Sequence, residues 1–201
     1  MFDLISIALL IVIAVYIAAM IILISKGKDK NSSHSYITVI FSAMIWTLFM
    51  FLYRLSSPDT ALIWCVLLYI AASFVASTTF VFSLIFPSGK FPSSKVILSV
   101  VLSNIIIIIL LLLPNFVITG IRVIPNDENV ILWGPFYFIY FLYIAALIST
   151  AILILFRKYL KSSGIERAQL KFIFFGYFFG TSPALFTNLL FPWFEYVRFN
   201  W

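Results

Sequence analysis

Six long apolar runs alternate with short polar segments along nearly the whole chain. A helix needs roughly 20 apolar residues to cross the hydrocarbon core of a bilayer, and the runs have about that length. The pattern therefore predicts six transmembrane helices, over residues 4–25, 36–53, 61–85, 96–113, 135–156 and 165–191. The predicted fold class is all-α: a polytopic membrane helix bundle that forms a single domain over residues 1–201.

The longest polar interval, between the fourth and fifth runs, has the composition of a small β-hairpin. Its two β-prone stretches, 116–119 and 129–133, flank a Pro-Asn-Asp-Glu segment at 125–128. Turn-forming residues between two β-prone stretches are typical of a hairpin. We expect this hairpin to lie over one end of the bundle.

Basic residues concentrate in alternate polar segments. Ten of the 13 Lys and Arg residues follow the first, third or fifth run, and the other three are Arg54, Arg122 and Arg198. Short loops rich in Lys and Arg stay in the cytoplasm. Both the amino terminus and the carboxyl terminus of the chain, as well as the hairpin, are therefore predicted to lie outside. The net charge of +6 reflects this orientation, so the expected partner is a lipid bilayer and not a nucleic acid.

Composition agrees with a membrane protein and offers little chemistry. The chain is 64% hydrophobic and 10% charged, which is more apolar surface than a soluble domain of 201 residues could bury. Its lone cysteine, Cys65, lies inside the third run, and its lone histidine, His34, lies in a polar segment without nearby metal-ligand partners. No phosphate-binding loop or nucleophile motif is present. We expect no catalysis, no metal and no cofactor in this chain.

Small residues mark the faces where helices are expected to meet. Because lipid removes the hydrophobic drive between helices, close approach through small side chains favours their association. Gly176 and Gly180 have the GxxxG spacing, and Ala72 and Ala76 repeat that spacing in the third run. We interpret these faces as packing within one chain, although a dimer would use them equally well.

Aromatic side chains cluster at the predicted outer side and are candidates for contact with an apolar or peptide ligand. The set comprises Trp133, Tyr137, Tyr140, Phe141, Trp193 and Tyr196. The commoner role of such residues is the aromatic belt at the membrane interface.

Two short motifs give the chain a family resemblance. The third helix is followed by Phe86-Pro87-Ser88-Gly89-Lys90-Phe91-Pro92, and the sixth opens with Arg167, Gln169 and Lys171 ahead of Gly176. Together they resemble the amino-terminal membrane region of bacterial sensor histidine kinases of the seven-helix type, including the quorum-sensing competence kinases. Two positions depart from that pattern, since Ser88 stands where aspartate is common and Phe172 where tryptophan is common.

The resemblance implies a sensory or receptor module of a two-component system, located in the bacterial cytoplasmic membrane. It also implies a seventh crossing, then a dimerisation helix with a phosphorylated histidine and an ATP-binding domain, all of which would follow residue 201. His34 does not fit the phosphoacceptor motif because Ser35, and not an acidic residue, follows it. On this interpretation the seventh helix and the kinase domain are missing here, and a homodimer would form through that kinase region.

Two other classes of function stay open. A small transporter or permease component would line its pathway with hydroxyl and amide side chains, for which the candidates are Ser77, Thr78, Thr79, Asn104, Thr181 and Asn188. A non-catalytic structural subunit would instead hold a partner through the face that carries Gly176 and Gly180.

Overall fold

The computed structural model describes residues 3–27, 30–122 and 130–185. This part of the chain forms six helices and one two-stranded antiparallel sheet, which confirms the predicted helical bundle with its hairpin. The elements are α1 (Leu4–Lys26), α2 (Lys30–Leu55), α3 (Pro58–Ile85), α4 (Ser94–Leu112), β1 (Ile118–Arg122), β2 (Val130–Trp133), α5 (Tyr137–Lys161) and α6 (Gly164–Leu185).

Helices α1 to α5 are long and apolar enough to cross a membrane, so the chain is a multi-pass membrane protein. Helix α6 is not among them over its described residues. Its first turns carry Glu166, Arg167 and Lys171, and its predicted span continues to residue 191, outside the described residues. The sixth crossing stays a prediction.

Helix α2 begins at Lys30, six residues before the predicted start at Tyr36. The reason is tertiary. The Asn31 side-chain amide donates to the Gly89 carbonyl oxygen at 2.9 Å, and the Ser32 hydroxyl donates to the Pro87 carbonyl oxygen at 3.4 Å. These bonds stabilise the polar first turn of α2 as a helix. The apolar pattern of the sequence alone does not predict that turn.

Helix α5 is displaced along the chain relative to its predicted span of 135–156. It begins at Tyr137 because the Gly134 and Phe136 amides donate to the Val117 and Phe116 carbonyl oxygens, which keeps residues 134–136 attached to the hairpin. At its other end the helix continues to Lys161, past the last apolar residue of the run.

Helix α3 is the centre of the bundle. It begins with Ser57 as the N-cap and Pro58 in the first turn, where a proline loses no helical hydrogen bond. Helices α2, α4 and α5 all pack against α3, while α1 packs on α2 and α6 packs on α5. Cys65 is fully buried in α3 and belongs to the main core cluster.

Helices α3 and α5 run in the same direction, so their first turns lie at one end of the bundle and their last turns at the other. We call the end with β1, β2 and the first turns of α3 and α5 the hairpin end. We call the opposite end, with the turn of residues 86–92 and the last turns of α5, the basic end.

Candidate functional site: the α3–α5 interface

The hairpin meets the start of α5 at Gly134, where the backbone passes too close to another segment for any other residue to fit without strain. A Cβ atom on Gly134 would overlap the Phe116 carbonyl oxygen and would lie 2.8 Å from the Asn115 carbonyl oxygen. Strands β1 and β2 pair antiparallel, with Ile121 opposite Ile131. Because the chain passes so close at Gly134, the hairpin and α5 are positioned as one piece.

Four aromatic rings form a cluster where the hairpin meets α3 and α5. Trp133 of β2 lies 5.4 Å from Tyr69 of α3 and 4.1 Å from Tyr137 of α5, measured between ring centroids. Tyr69 also lies 5.4 Å from Tyr140. The edge-on pair of Tyr69 with Trp133 and the tilted pair of Tyr69 with Tyr140 have separations that aromatic pairs favour. We call these four residues the hairpin-end aromatic cluster; it joins one strand to two helices.

Two tyrosine hydroxyls bond α5 to α3 along their shared interface. The Tyr140 hydroxyl donates to the Tyr69 carbonyl oxygen at 2.9 Å. Farther along, the Tyr143 and Ser77 hydroxyl oxygens lie 3.0 Å apart. Since the Ser77 hydroxyl donates to the Ser73 carbonyl oxygen, Tyr143 is the donor of this second bond.

The aromatic residues expected to contact a ligand differ in their accessibility. Tyr137 and Tyr140 are 0% and 1% exposed, so in this conformation they form part of the core and not of an interfacial belt. Trp133 and Phe141 are half-buried at the edge of the same core. Trp193 and Tyr196 lie outside the described residues. The fourth ring, Tyr69, was missed because nothing in the third run distinguishes it from a lipid-facing aromatic residue.

An ion pair closes the hairpin end between α1 and α2. The Arg54 guanidinium donates to the Asp3 carboxylate at 2.8 Å, and the Ser6 amide donates to the same carboxylate at 2.9 Å. Hydrogen bonds from Ser6, and then the Arg54 guanidinium, hold the pKa of Asp3 well below its usual range. Asp3 is therefore also the N-cap of α1.

At the basic end, Lys158 of α5 bonds α3 through its ammonium group. The Lys158 Nζ donates to the Ser83, Leu84 and Phe86 carbonyl oxygens, at 2.9 Å and 2.7 Å for the first two. Cations are favoured at the carboxyl end of a helix because its last carbonyls are unsatisfied. The charge of Lys158 therefore stabilises the contact between the two helices.

A second aromatic group surrounds this basic end. The Phe82 ring of α3 stacks on Tyr36 of α2 at 5.1 Å and on Phe86 at 5.3 Å, and it lies 6.2 Å from Tyr177 of α6. Phe82 is 1% exposed. These rings bring α2, α3 and α6 together beside the Lys158 contact.

The residues that carry the family resemblance have different environments. Pro87 and Gly89 accept the hydrogen bonds from α2, and Gly89 has a φ of +66°, which favours glycine. Arg167 lies over the Tyr159 ring at 5.2 Å from its centroid. Lys90 and Gln169 are exposed.

The predicted small-residue faces also differ. In α3, Ala76 is 1% exposed within the main core cluster, whereas Ala72 is half-buried. A Cβ atom on Gly176 or Gly180 would meet nothing within 4 Å among the residues the structure describes. No described residue therefore packs closely on the Gly176 and Gly180 face, and its role in helix packing stays a prediction.

Most hydroxyls proposed for a transport pathway are engaged within their own helices. Ser77, Thr78 and Thr181 donate to carbonyl oxygens one turn earlier, at 2.6–2.8 Å. Such bonds satisfy the hydroxyl locally. Thr79 and Asn104 are 1% and 5% exposed, and their side-chain oxygens make no hydrogen bond of ordinary geometry with the described residues. Asn188 lies outside the described residues.

Comparison with known proteins identifies the family of the chain. No curated protein and no solved structure matches the chain. Residues 4–199 match the family model described as the N-terminal 7TM region of histidine kinase, a region that contains nearly every residue of the helices and interface described above. The chain belongs to this family of membrane sensor regions of histidine kinases.

Proposed function

We propose that this chain is the sensory module of a bacterial two-component histidine kinase, in which an external apolar or peptide signal changes the arrangement of α3 and α5. Catalysis would reside in the kinase region of such a protein, and homodimerisation would occur through that region. The hairpin end faces the outside of the cytoplasmic membrane and the basic end faces the cytoplasm.

The observation that carries this proposal is the position of Trp133. Its ring belongs to the hairpin, yet it contacts Tyr69 of α3 and Tyr137 of α5 directly. A ligand that displaces the hairpin must also move the rings against which the two helices pack. A displacement of the hairpin would therefore act on α3 and α5 directly, because no other element of the described structure lies between them and Trp133.

The distribution of charge supports the orientation. Lys90, Lys95, Lys158, Arg157 and Lys161 lie at the basic end. Loops with this excess of Lys and Arg remain in the cytoplasm during insertion. The hairpin, at the other end of the same helices, then lies outside, where a signal arrives.

The partly exposed rings indicate the class of signal. Trp133 and Phe141 present half-buried aromatic surface next to the hairpin, and Phe138 is 45% exposed one turn away on α5. Such surface suits an apolar molecule or a peptide with apolar side chains better than a charged metabolite. A ligand acts by binding one arrangement of the helices more tightly than the other.

Tryptophan fluorescence tests the proposal. The chain is placed in lipid nanodiscs and titrated with the apolar extract and the peptide fraction of medium conditioned by the source bacterium. We expect one fraction to shift the emission of the wild-type chain, because Trp133 would leave its packed environment.

Two variants make that result interpretable. Trp133→Phe should abolish the shift, whereas Trp46→Phe, which replaces a half-buried tryptophan of α2, should leave it intact. A wild-type chain that unfolds cooperatively on heating but responds to neither fraction would contradict the sensory proposal.

A further inference from the structure

The end of α3 leaves one carbonyl without its helical donor because of a proline. In an α-helix each carbonyl accepts from the amide four residues later. For Ser83 that residue is Pro87, which has no N–H. The Lys158 ammonium supplies the missing donor and bonds the Leu84 and Phe86 carbonyls as well.

The neighbouring carbonyls of the turn have donors of their own. The Gly89 amide donates to the Ile85 carbonyl oxygen at 3.0 Å. The Pro87 and Gly89 carbonyl oxygens accept from Ser32 and Asn31 of α2. The three carbonyls that converge on Lys158 are thus a distinct set, held in place by a turn that α2 fastens from the other side.

The chemistry of this set matches a primary ammonium group. An ammonium has three N–H donors and no acceptor, and three carbonyl oxygens surround it here. In the described part of the chain no carboxylate lies within 4 Å of Lys158. The ammonium is therefore held by carbonyl dipoles, in a half-buried position at the negative end of α3.

We propose that the carboxyl end of α3 is a binding site for a primary ammonium ion, that Lys158 fills it from α5, and that its occupancy fixes the axial position of α5 along α3. Earlier carbonyls of α3 already accept helical hydrogen bonds, so Lys158 has no equivalent place one turn away. Sliding α5 by one helical turn, about 5.4 Å, would break the contact. This inference concerns the helices alone and stands whether or not the chain is a sensor.

A distance measurement with chemical rescue tests the site. Spin labels are placed at Phe91→Cys and Leu160→Cys, both exposed positions at the basic end, in a Cys65→Ala background and in nanodiscs. The parent pair should give a narrow distance distribution. Lys158→Ala should broaden it at least twofold, because α5 loses its fixed axial position.

Added cations then separate ammonium binding from loss of charge. Ethylammonium chloride should restore a narrow distribution to the Lys158→Ala protein. Tetramethylammonium chloride, which has the same charge and no N–H donor, should not. Lys161→Ala removes an exposed lysine one turn away and should leave the distribution narrow in either salt.

Three results would overturn the proposal. The first is an unchanged distribution in Lys158→Ala. The second is equal narrowing by both salts, which would indicate a general effect of charge.

A folding control gives the third. If Lys158→Ala does not fold, it is purified in each salt alongside Lys158→Met, which keeps the apolar stem. Recovery of folded protein in ethylammonium alone would support the site, and failure of both variants in both salts is the third contradictory result.

Discussion

The two ends of the α3–α5 pair are held together by different kinds of contact. At the hairpin end the contact consists of aromatic rings and the neutral bond from Tyr140 to the Tyr69 carbonyl oxygen. At the basic end it is a charged group enclosed by three carbonyl oxygens. Rings tolerate changes of offset at small cost, whereas charge-assisted hydrogen bonds are stronger and are either made or lost.

This difference suits a module that receives a stimulus at one end and transmits it at the other. Parts of proteins that move tend to be those with weaker local stability. On the proposed function, the hairpin end, which is held by rings and a neutral hydrogen bond, would be the part that responds. The basic end would preserve the alignment of the helices, so that a response would become a defined movement.

The largest expected effect on the hairpin end comes from Gly134→Ala. The new methyl group would overlap the Phe116 carbonyl oxygen, a backbone atom that cannot turn away. Overpacking of this kind costs up to about 3 kcal/mol. Thermal unfolding in detergent should show a clearly lower midpoint. Gly180→Ala, at an open position of α6, is the matched control, and an equal loss in both would contradict the close approach at Gly134.

A smaller loss is expected from Tyr140→Phe. The change removes the hydrogen bond to the Tyr69 carbonyl oxygen and keeps the ring. Hydrogen bonds between membrane helices are worth about 0.6 kcal/mol on average. Denaturation in SDS measures the free energy of unfolding. Tyr159→Phe removes the hydroxyl of a half-buried tyrosine for comparison, and the interface bond has no role if the two variants lose equal stability.

The ion pair between α1 and α2 should make a weaker contribution that depends on pH. Because the pKa of Asp3 is lowered in the folded protein, its carboxylate stabilises the fold at neutral pH. That contribution starts to disappear as the pH falls below the ordinary aspartate value of about 3.9. Asp3→Asn should lower the unfolding midpoint at pH 7, and the two proteins should converge in acid. A constant difference at all pH values would exclude the ionised pair as its cause.

The least effect is expected from Gly176→Leu combined with Gly180→Leu. The positions open onto free space in the described part of the chain, so the unfolding midpoint should stay within measurement error. If the face binds a second copy or another subunit, the mass of the detergent-solubilised complex will fall instead. A large loss of stability at unchanged mass would show that the face packs within the chain after all.

The sequence predicts the helices and the hairpin because their patterns are local. Apolar length identifies α1 to α5, and β-prone stretches on both sides of a turn identify β1 and β2. The contacts between α3 and α5 join residues that lie far apart in the sequence, and the sequence analysis did not predict them. Nothing in the pattern indicates that Lys158 serves the end of α3, although Pro87 shows that a carbonyl there needs another donor. Likewise, burial separates Tyr137 from a lipid-facing tyrosine only after the helices have packed.

The orientation of the two ends is the claim on which the sensory account depends, and cysteine labelling in intact cells tests it most directly. Arg122→Cys and Leu160→Cys, each in a Cys65→Ala background, place one exposed thiol at either end of the bundle. A membrane-impermeant maleimide should label position 122 in intact cells and position 160 only after permeabilisation. Labelling of position 160 from outside, with position 122 protected, would contradict the account.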